Sequence, residues 1–196
     1  MDIVAEALPP YHGISLADVR LVRTDEEAQA ALAALMAADV IGFDTESKPT
    51  FVKGEASTGP HLVQLATDKH VYLFQVGPRT PVHVIKAVLE APGIVKAGFG
   101  LDDDIKRLRA KLAIDTVNVV DLANTLRNGQ RNPVGAKTAV ARYFGKALQK
   151  SKKITTTNWS LPRLSESQIL YAADDAHVAL RVYRLWRENP IPAFPL

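Results

Sequence analysis

Residues 40–46 read Val-Ile-Gly-Phe-Asp-Thr-Glu, and the rest of the predicted fold is arranged around them. Its first four residues are mostly apolar, which is typical of a buried strand in the middle of a sheet. Because side chains alternate along a strand, Asp44 and Glu46 point to the same side where this strand ends. Two carboxylates about 4 Å apart repel each other by roughly 1 kcal/mol in water, and by about 4 kcal/mol at an effective dielectric constant near 20. Either one of them is protonated or a cation lies between them.

The composition of the chain indicates one compact α/β domain. Of its 196 residues, 47% are hydrophobic, which is enough for a sizeable core. The chain has no cysteine, and this excludes disulfides, thiolate zinc sites and cysteine nucleophiles. Since we find neither a signal-peptide pattern nor an apolar run near 18 residues, we expect a cytoplasmic protein with no membrane partner. The net charge of +3 permits nucleic-acid binding without demanding it.

Hydrophobic periodicity predicts strands and helices on both sides of the 40–46 stretch. Residues 1–18 contain prolines and a glycine and lack periodicity, so we expect an N-terminal extension followed by a single domain over residues 19–196. Further strands are predicted at 62–66, 71–76, 94–97 and 117–120, and residues 19–22 fit a short edge strand. Helices are predicted at about 24–36, 81–89, 101–112, 136–144 and 165–186. This order predicts a three-layer α/β domain with a mixed five-stranded sheet flanked by helices.

A second group of carboxylates lies where a predicted strand meets a helix. Asp102, Asp103 and Asp104 follow the segment Gly98-Phe99-Gly100. Acidic residues in a first helical turn complement the helix dipole, and this accounts for Asp102 and Asp103. The two glycines imitate a dinucleotide-binding fingerprint, but Asp103 takes the place of the third glycine and three carboxylates would repel a pyrophosphate. An EF-hand is excluded as well, because its required glycine is missing.

The last predicted helix carries a third group, Tyr171-Ala-Ala-Asp174-Asp175. Tyr171 and Asp175 are four residues apart, so they share one helical face beside the buried stripe. A tyrosine and an aspartate at this spacing are structural more often than not when they are seen alone. We interpret Gln64 and Trp159 as structural too.

Together, the three groups resemble the exonuclease motifs of the DEDD superfamily. The first motif is Phe43-Asp44-Thr45-Glu46, the second is the 98–108 segment that ends in Asp-x-x-x-Leu108, and the third is Tyr171-x-x-x-Asp175. The tyrosine marks the DEDDy branch, to which ribonuclease D and the exonuclease domain of the Werner helicase belong. The likeness also includes Leu-Val-Gln-Leu-Ala at 62–66 and Asn-Trp-Ser at 158–160, and it covers about residues 19–186.

The resemblance implies a ribonuclease H-like fold and two divalent cations, Mg²⁺ or Mn²⁺. The implied catalytic residues are Asp44, Glu46, Asp104, Tyr171 and Asp175, of which the four acids are the metal ligands. Asp44 would bridge both cations, Glu46 and Asp175 would complete the site that holds the attacking water, and Asp104 would support the second cation. Tyr171 would orient the water. The choice of Asp104 depends on the spacing to Leu108, and Asp103 stays open as the alternative.

The resemblance also implies a function, which is 3′-5′ exonuclease activity on DNA or RNA with release of nucleoside 5′-monophosphates. The alternatives are ribonuclease D-like processing of structured RNA, a catalytically inactive nucleic-acid-binding module, and a protein-interaction scaffold. The complete set of acids argues against the last two, because a binding module has no reason to keep carboxylates that repel each other. Four basic residues are candidates for contacts with the nucleic-acid backbone: Lys150, Lys152, Lys153 and Arg163.

We expect the nuclease domain to stand alone, since we recognise no helicase segment and no C-terminal helical RNA-binding domain. A homo-oligomer is compatible with this sequence.

Overall fold

A computed structural model describes residues 8–50, 54–127, 129 and 131–191. At its centre is a mixed sheet of six strands in the order β1-β4-β3-β2-β5-β6. The strands are β1 (Val19–Leu21), β2 (Val40–Glu46), β3 (Leu62–Ala66), β4 (Val71–Gln75), β5 (Val95–Gly98) and β6 (Val119–Asp121). β3 is antiparallel to both of its neighbours, and the other neighbouring pairs are parallel. The carboxyl ends of the other five strands therefore meet at one edge of the sheet.

The predicted fold class is confirmed, but the sheet has six strands rather than five. The additional strand is β1, which pairs in parallel with β4 from Val19 opposite Val71 to Leu21 opposite Leu73. Val19 and Leu21 are half-buried against the apolar cluster that contains Ile169 of the last helix. The sequence indicates a possible edge strand at 19–22, but three residues are too few to show a periodicity, so the pairing with β4 is what establishes β1 as part of the sheet.

Among the described residues, seven α-helices pack around the sheet, besides a short 3-10 helix at Leu16–Asp18. They are α1 (Asp25–Met36), α2 (Val82–Leu89), α3 (Asp102–Leu112), α4 (Leu122–Thr125), α5 (Ala136–Phe144), α6 (Lys152–Thr155) and α7 (Glu166–Glu188). The first and last α-helices begin at well-defined residues. Thr24 forms a capping box at the start of α1, and Ser165 forms one at the start of α7, each with the residue three positions later. Among the described helices, none has the length and apolarity needed to cross a membrane.

The helices form two layers because each strand presents apolar side chains to both faces of the sheet. Ile41 and Phe43 of β2 pack with α1, α2 and α3 on one face. Val40 of β2 and Leu62 of β3 lie on the other face, where they pack within apolar clusters that include residues of α7. Asp44 and Glu46 have the same alternation as Val40, so they also face α7.

The described part of the N-terminal extension lies against α5 and α7. Tyr11 donates its backbone N–H to the carbonyl of Ala147 at 2.9 Å, and its ring packs edge-on to Phe144. The backbone N–H of Ile14 donates to Oδ1 of Asp174 at 2.8 Å. The extension is thus joined to the helix that carries the third acidic group.

Candidate active site

Three carboxylates from two elements converge where β2 ends. Oxygen atoms of Asp44, Glu46 and Asp175 all lie within 4.8 Å of one another. The first two share a face of β2, and α7 brings Asp175 over that face. Gly42 permits this approach, because a Cβ atom there would collide with the backbone carbonyl of Ala176. The glycine of the 40–46 stretch therefore sets how closely α7 approaches the acidic end of β2.

Asp104 approaches the same edge of the sheet from α3. It is 8% exposed, accepts a hydrogen bond from the Thr45 hydroxyl, and lies 3.6 Å from Nη1 of Arg107. Asp103 points away into solvent, with 70% of its side chain exposed and its Oδ1 3.3 Å from the Lys106 ammonium. Asp104 lies outside the group of three carboxylates, yet its charge acts on Asp44. This geometry favours Asp104 over Asp103 as the fourth acid.

Burial and mutual repulsion raise the pKa values of the carboxyl groups in this cluster. Burial raises the pKa of Asp44 well above its usual range, and the charges of Asp175, Asp104 and Glu46 raise it further. The pKa of Glu46 is raised to about 8, mainly by burial and secondly by the charge of Asp175. Burial also raises the pKa of Asp175, against the attraction of Lys150. The repulsion expected from the sequence is therefore present in the fold.

Tyr171 lies one helical turn before Asp175 on the face that the spacing predicts. Its hydroxyl is 2.8 Å from Oγ1 of Thr155, and a hydrogen bond from Tyr171 lowers the pKa of Asp175. Burial and the charge of Asp175 raise the pKa of the tyrosine itself. Tyr171 is therefore protonated at neutral pH, with its hydroxyl held between α6 and the carboxylates.

The four basic candidates fall into two groups. The Lys150 ammonium is 2.6 Å from Oδ1 of Asp175 and lies over the Tyr171 ring, 5.6 Å from its centroid. Lys152, Lys153 and Arg163 are exposed to solvent on α6 and on the segment that follows it. The structure therefore brings Lys150 into the acidic cluster and leaves the other three at the surface.

Three polar residues that the sequence motifs give no role at the site lie around the acids, and one of them, Gln64, is interpreted as structural from the sequence. Thr45 and Thr155 hold Asp104 and Tyr171 through the hydrogen bonds described above. Gln64 is fully buried, and neither of its side-chain amide atoms has a hydrogen-bond partner among the described residues. It pairs with Asp44 across β2 and β3, so both side chains point toward α7. The register of β3 against β2 places Gln64 beside Asp44. Because that register depends on the pairing of two strands, the local sequence around Gln64 does not reveal it.

The residues present fit divalent cations. The converging donors are carboxylate oxygens, which Mg²⁺ and Mn²⁺ prefer over the nitrogen and sulfur ligands typical of zinc. Burial and then the neighbouring carboxylates raise the pKa values of Asp44 and Glu46, so their ionised forms carry an electrostatic cost that positive charge between the oxygens would relieve. The unpaired amide of Gln64 adds a buried polar group beside Asp44. The site can therefore hold metal ions.

Comparison with known proteins agrees with this geometry. Residues 19–188 match the family model described as 3′-5′ exonuclease. The bifunctional 3′-5′ exonuclease/ATP-dependent helicase WRN of Mus musculus is 30% identical over 149 residues, which cover 74% of this chain and 11% of that protein. The chain thus spans a small part of that relative.

Two solved structures share the fold. The Nibbler EXO domain of Aedes aegypti is 25% identical and superimposes with a TM-score of 0.76, covering 91% of this chain and 92% of that one. RNase D of Escherichia coli, an exoribonuclease involved in structured RNA processing, is also 25% identical, with a TM-score of 0.74 and coverage of 87% and 44%. With the family model matched from β1 to the end of α7 and the acidic residues gathered at one edge of the sheet, the chain belongs to the 3′-5′ exonuclease domain family.

Proposed function

We propose that the chain is a metal-dependent 3′-5′ exonuclease that hydrolyses nucleic acid from its 3′ end and releases nucleoside 5′-monophosphates. The observation that carries the proposal is the convergence of Asp44, Glu46 and Asp175 within 4.8 Å. Two carboxylates of this set share one strand, so their repulsion is built into the sheet. A fold that only binds nucleic acid has no use for such a cluster.

The proposed cofactors are two divalent cations, Mg²⁺ or Mn²⁺. Asp44, Glu46 and Asp175 would hold one of them, and Asp44 with Asp104 would hold the other. When bound, the cations would lower the pKa of the attacking water and stabilise charge on the leaving 3′-oxygen. Thr45 supports this arrangement, since its hydroxyl donates to Asp104 and so orients that carboxylate.

Tyr171 is proposed to orient the attacking water. Its high pKa makes it a poor base at neutral pH, so its hydroxyl serves as a fixed hydrogen-bonding group. The hydrogen bond to Thr155 limits the rotation of that hydroxyl, and the helical turn to Asp175 keeps it beside the acids. Tyr171 therefore contributes position and direction, and proton removal depends on the pKa of the water.

The proposed substrate is a DNA or RNA strand with a free 3′ end. Lys152, Lys153 and Arg163 are exposed and would contact phosphates of that strand. Processing of structured RNA is the second candidate, and the structural similarity to RNase D, which acts on such RNA, favours it.

The test of this proposal uses DNA and RNA strands labelled at either the 3′ or the 5′ end. We expect the purified chain to release the 3′ label first as a mononucleotide in Mg²⁺ or Mn²⁺, and to be inactive in EDTA. Asp44→Asn serves as the control: it should abolish cleavage yet leave the metal-free fold as stable or more stable, since one repulsive charge is gone. Full activity in EDTA, or early loss of a 5′ label, would contradict the proposal.

A further inference from the structure

We infer that Lys150 is an internal counter-ion of the carboxylate cluster, which competes with divalent cations for Asp175 and sets the cation concentration at which the site fills. This role differs from a contact with the nucleic-acid backbone. The inference rests on the proposed function, because it requires the acids to bind cations.

The position of the Lys150 side chain supports this role. Its ammonium lies 2.6 Å from Oδ1 of Asp175, and only 29% of the side chain is exposed. The side chain passes over the ring of Tyr171, and the ammonium also interacts with the charge of Asp44. Lys150 is thus held among three of the proposed active-site residues. A surface lysine that follows the phosphates of a strand would instead extend into solvent, as Lys152 does.

Competition follows from the chemistry of the two cations. A lysine ammonium is a compact point charge that forms strong hydrogen bonds to carboxylates. A divalent cation bound by Asp175 would need the same oxygen atoms and would experience repulsion from an ammonium a few ångströms away. The two therefore exclude each other at Asp175. The ammonium neutralises one negative charge and the divalent cation neutralises two, so the metal prevails once its concentration is high enough.

The arrangement also accounts for how the acids stay together without metal. Asp104 has Arg107 near it, and Asp175 has Lys150. Removal of the ammonium leaves Asp175 buried beside Asp44 and Glu46 without its ion-pair partner, which destabilises the metal-free fold. The same removal frees an oxygen for a cation. Stability without metal and affinity for metal should therefore change in opposite directions.

The experiment measures Mn²⁺ binding to the full chain in the absence of nucleic acid, by electron paramagnetic resonance of free Mn²⁺. The variant Lys150→Met keeps the apolar stem and removes the charge, and Lys152→Met is the matched control on the neighbouring exposed lysine. We expect Lys150→Met to bind Mn²⁺ more tightly than the parent, within the range of about 5- to 150-fold that is typical of coupled binding. Its Tm without metal should fall, and the rise in Tm on adding Mn²⁺ should exceed that of the parent. In this assay, which contains no nucleic acid, Lys152→Met should bind Mn²⁺ with the affinity of the parent and should show the same rise in Tm.

The outcomes separate this inference from the proposed function. A parent protein that binds no Mn²⁺ contradicts the proposed metal site itself. A parent that binds Mn²⁺, with Lys150→Met binding it equally or more weakly, overturns the counter-ion role alone.

A second measurement uses the parent protein and so does not depend on how the variant folds. Mass spectrometry follows acetylation of each lysine by acetic anhydride with and without Mn²⁺. Displacement from Asp175 should expose the Lys150 amine, so its acetylation should become faster in Mn²⁺ while that of Lys152 stays constant. An unchanged rate at Lys150 with Mn²⁺ bound would contradict the inference.

Discussion

At the scale of single residues, the first turn of α3 gives two adjacent aspartates opposite surroundings. Asp104 is buried and accepts the Thr45 hydroxyl, while Asp103 faces solvent beside Lys106. A helix turns about 100° per residue, so neighbouring side chains cannot both reach the sheet edge. A shift of one residue in register therefore separates the proposed metal ligand, Asp104, from a solvated charge, Asp103.

This register predicts the outcome of two substitutions. Asp104→Asn should lose nearly all exonuclease activity, because it removes a negative charge from the proposed second cation site. Asp103→Asn should lose little, since it changes an exposed ion pair with a contribution of at most about 1 kcal/mol. Initial rates on one labelled strand at saturating Mg²⁺ decide between them. An inactive Asp103→Asn beside a normal Asp104→Asn would show that the register is wrong.

Tyr171 gives a second residue-scale prediction. Tyr171→Phe keeps the ring that packs beside Trp159 and removes only the hydroxyl near Thr155. We expect the single-turnover rate to fall by about 10²- to 10⁴-fold, the range typical of a lost proton-transfer group. Metal binding and substrate binding should barely change. A rate equal to that of the parent at saturating Mg²⁺ would mean that the tyrosine only packs.

At the scale of elements, the contact between β2 and α7 determines where Asp175 lies. A side chain at position 42 would meet the Ala176 carbonyl and would come within 3.1 Å of Cβ of Leu180. Both atoms belong to α7, and the carbonyl is backbone that cannot rotate away. The spacing between the strand and the helix is therefore as important for the site as the acids themselves.

Gly42→Val tests this spacing. We expect a loss of stability of about 1–3 kcal/mol or more, as for overpacked cores, with weaker Mn²⁺ binding because α7 moves away with Asp175. Gly93→Ala is the control, since its Cβ would meet no atom within 4 Å. Chemical denaturation and Mn²⁺ titration of both variants provide the comparison. Unchanged stability and metal affinity in Gly42→Val would contradict the proposed role of this contact.

The short helix α6 gives a second element-scale prediction, on nucleic-acid binding. If Lys152 and Lys153 contact phosphates, their replacement by glutamine should weaken binding of every sequence alike. For a single strand, the slope of log affinity against log salt should decrease by about 0.7 for each lost contact. The measurement uses Asp44→Asn as the background, because this change blocks cleavage of the strand. Its affinity for nucleic acid, with and without the two lysine replacements, is measured across a series of salt concentrations. An unchanged slope would leave the two lysines as ordinary solvated residues.

At the scale of the whole molecule, the acidic cluster links stability to pH. The pKa of Glu46 rises from its ordinary value of 4.5 to about 8 on folding, so the folded chain binds more protons than the unfolded chain between these values. Stability from this group is therefore present below pH 4.5 and is lost as the pH rises to about 8. Since one pKa unit corresponds to about 1.4 kcal/mol, the loss is at most about 5 kcal/mol.

This linkage predicts that the metal-free parent loses more stability between pH 5.5 and pH 8 than the variant Glu46→Gln, whose side-chain amide does not ionise. Denaturant unfolding of both proteins across this range measures the difference. Mn²⁺ affinity of the parent should increase with pH over the same interval, because protons and metal compete for the same oxygens. Parallel stability profiles for the two proteins would contradict the raised pKa.

Much of this architecture could be predicted from the order of residues. The apolar run before Asp44, the capping residues and the tyrosine four positions before Asp175 are local patterns, and local patterns identify strands, helix starts and shared faces. The three acidic motifs predicted the fold class and the family, and they named Asp44, Glu46 and Asp175, whose carboxylates converge in the structure. The family assignment and the mixed sheet are confirmed.

Other features depend on which elements pack together. β1 is a strand because β4 lies beside it, Gln64 faces Asp44 because β2 and β3 pair in one register, and Lys150 reaches Asp175 because the chain before α6 folds back over α7. These contacts join residues that are far apart in the chain, so the local hydrophobic pattern does not predict them. Local sequence patterns were enough to identify the acidic groups and the tyrosine proposed to carry the chemistry, whereas the packing of distant elements sets their neighbours, their burial and hence their charges.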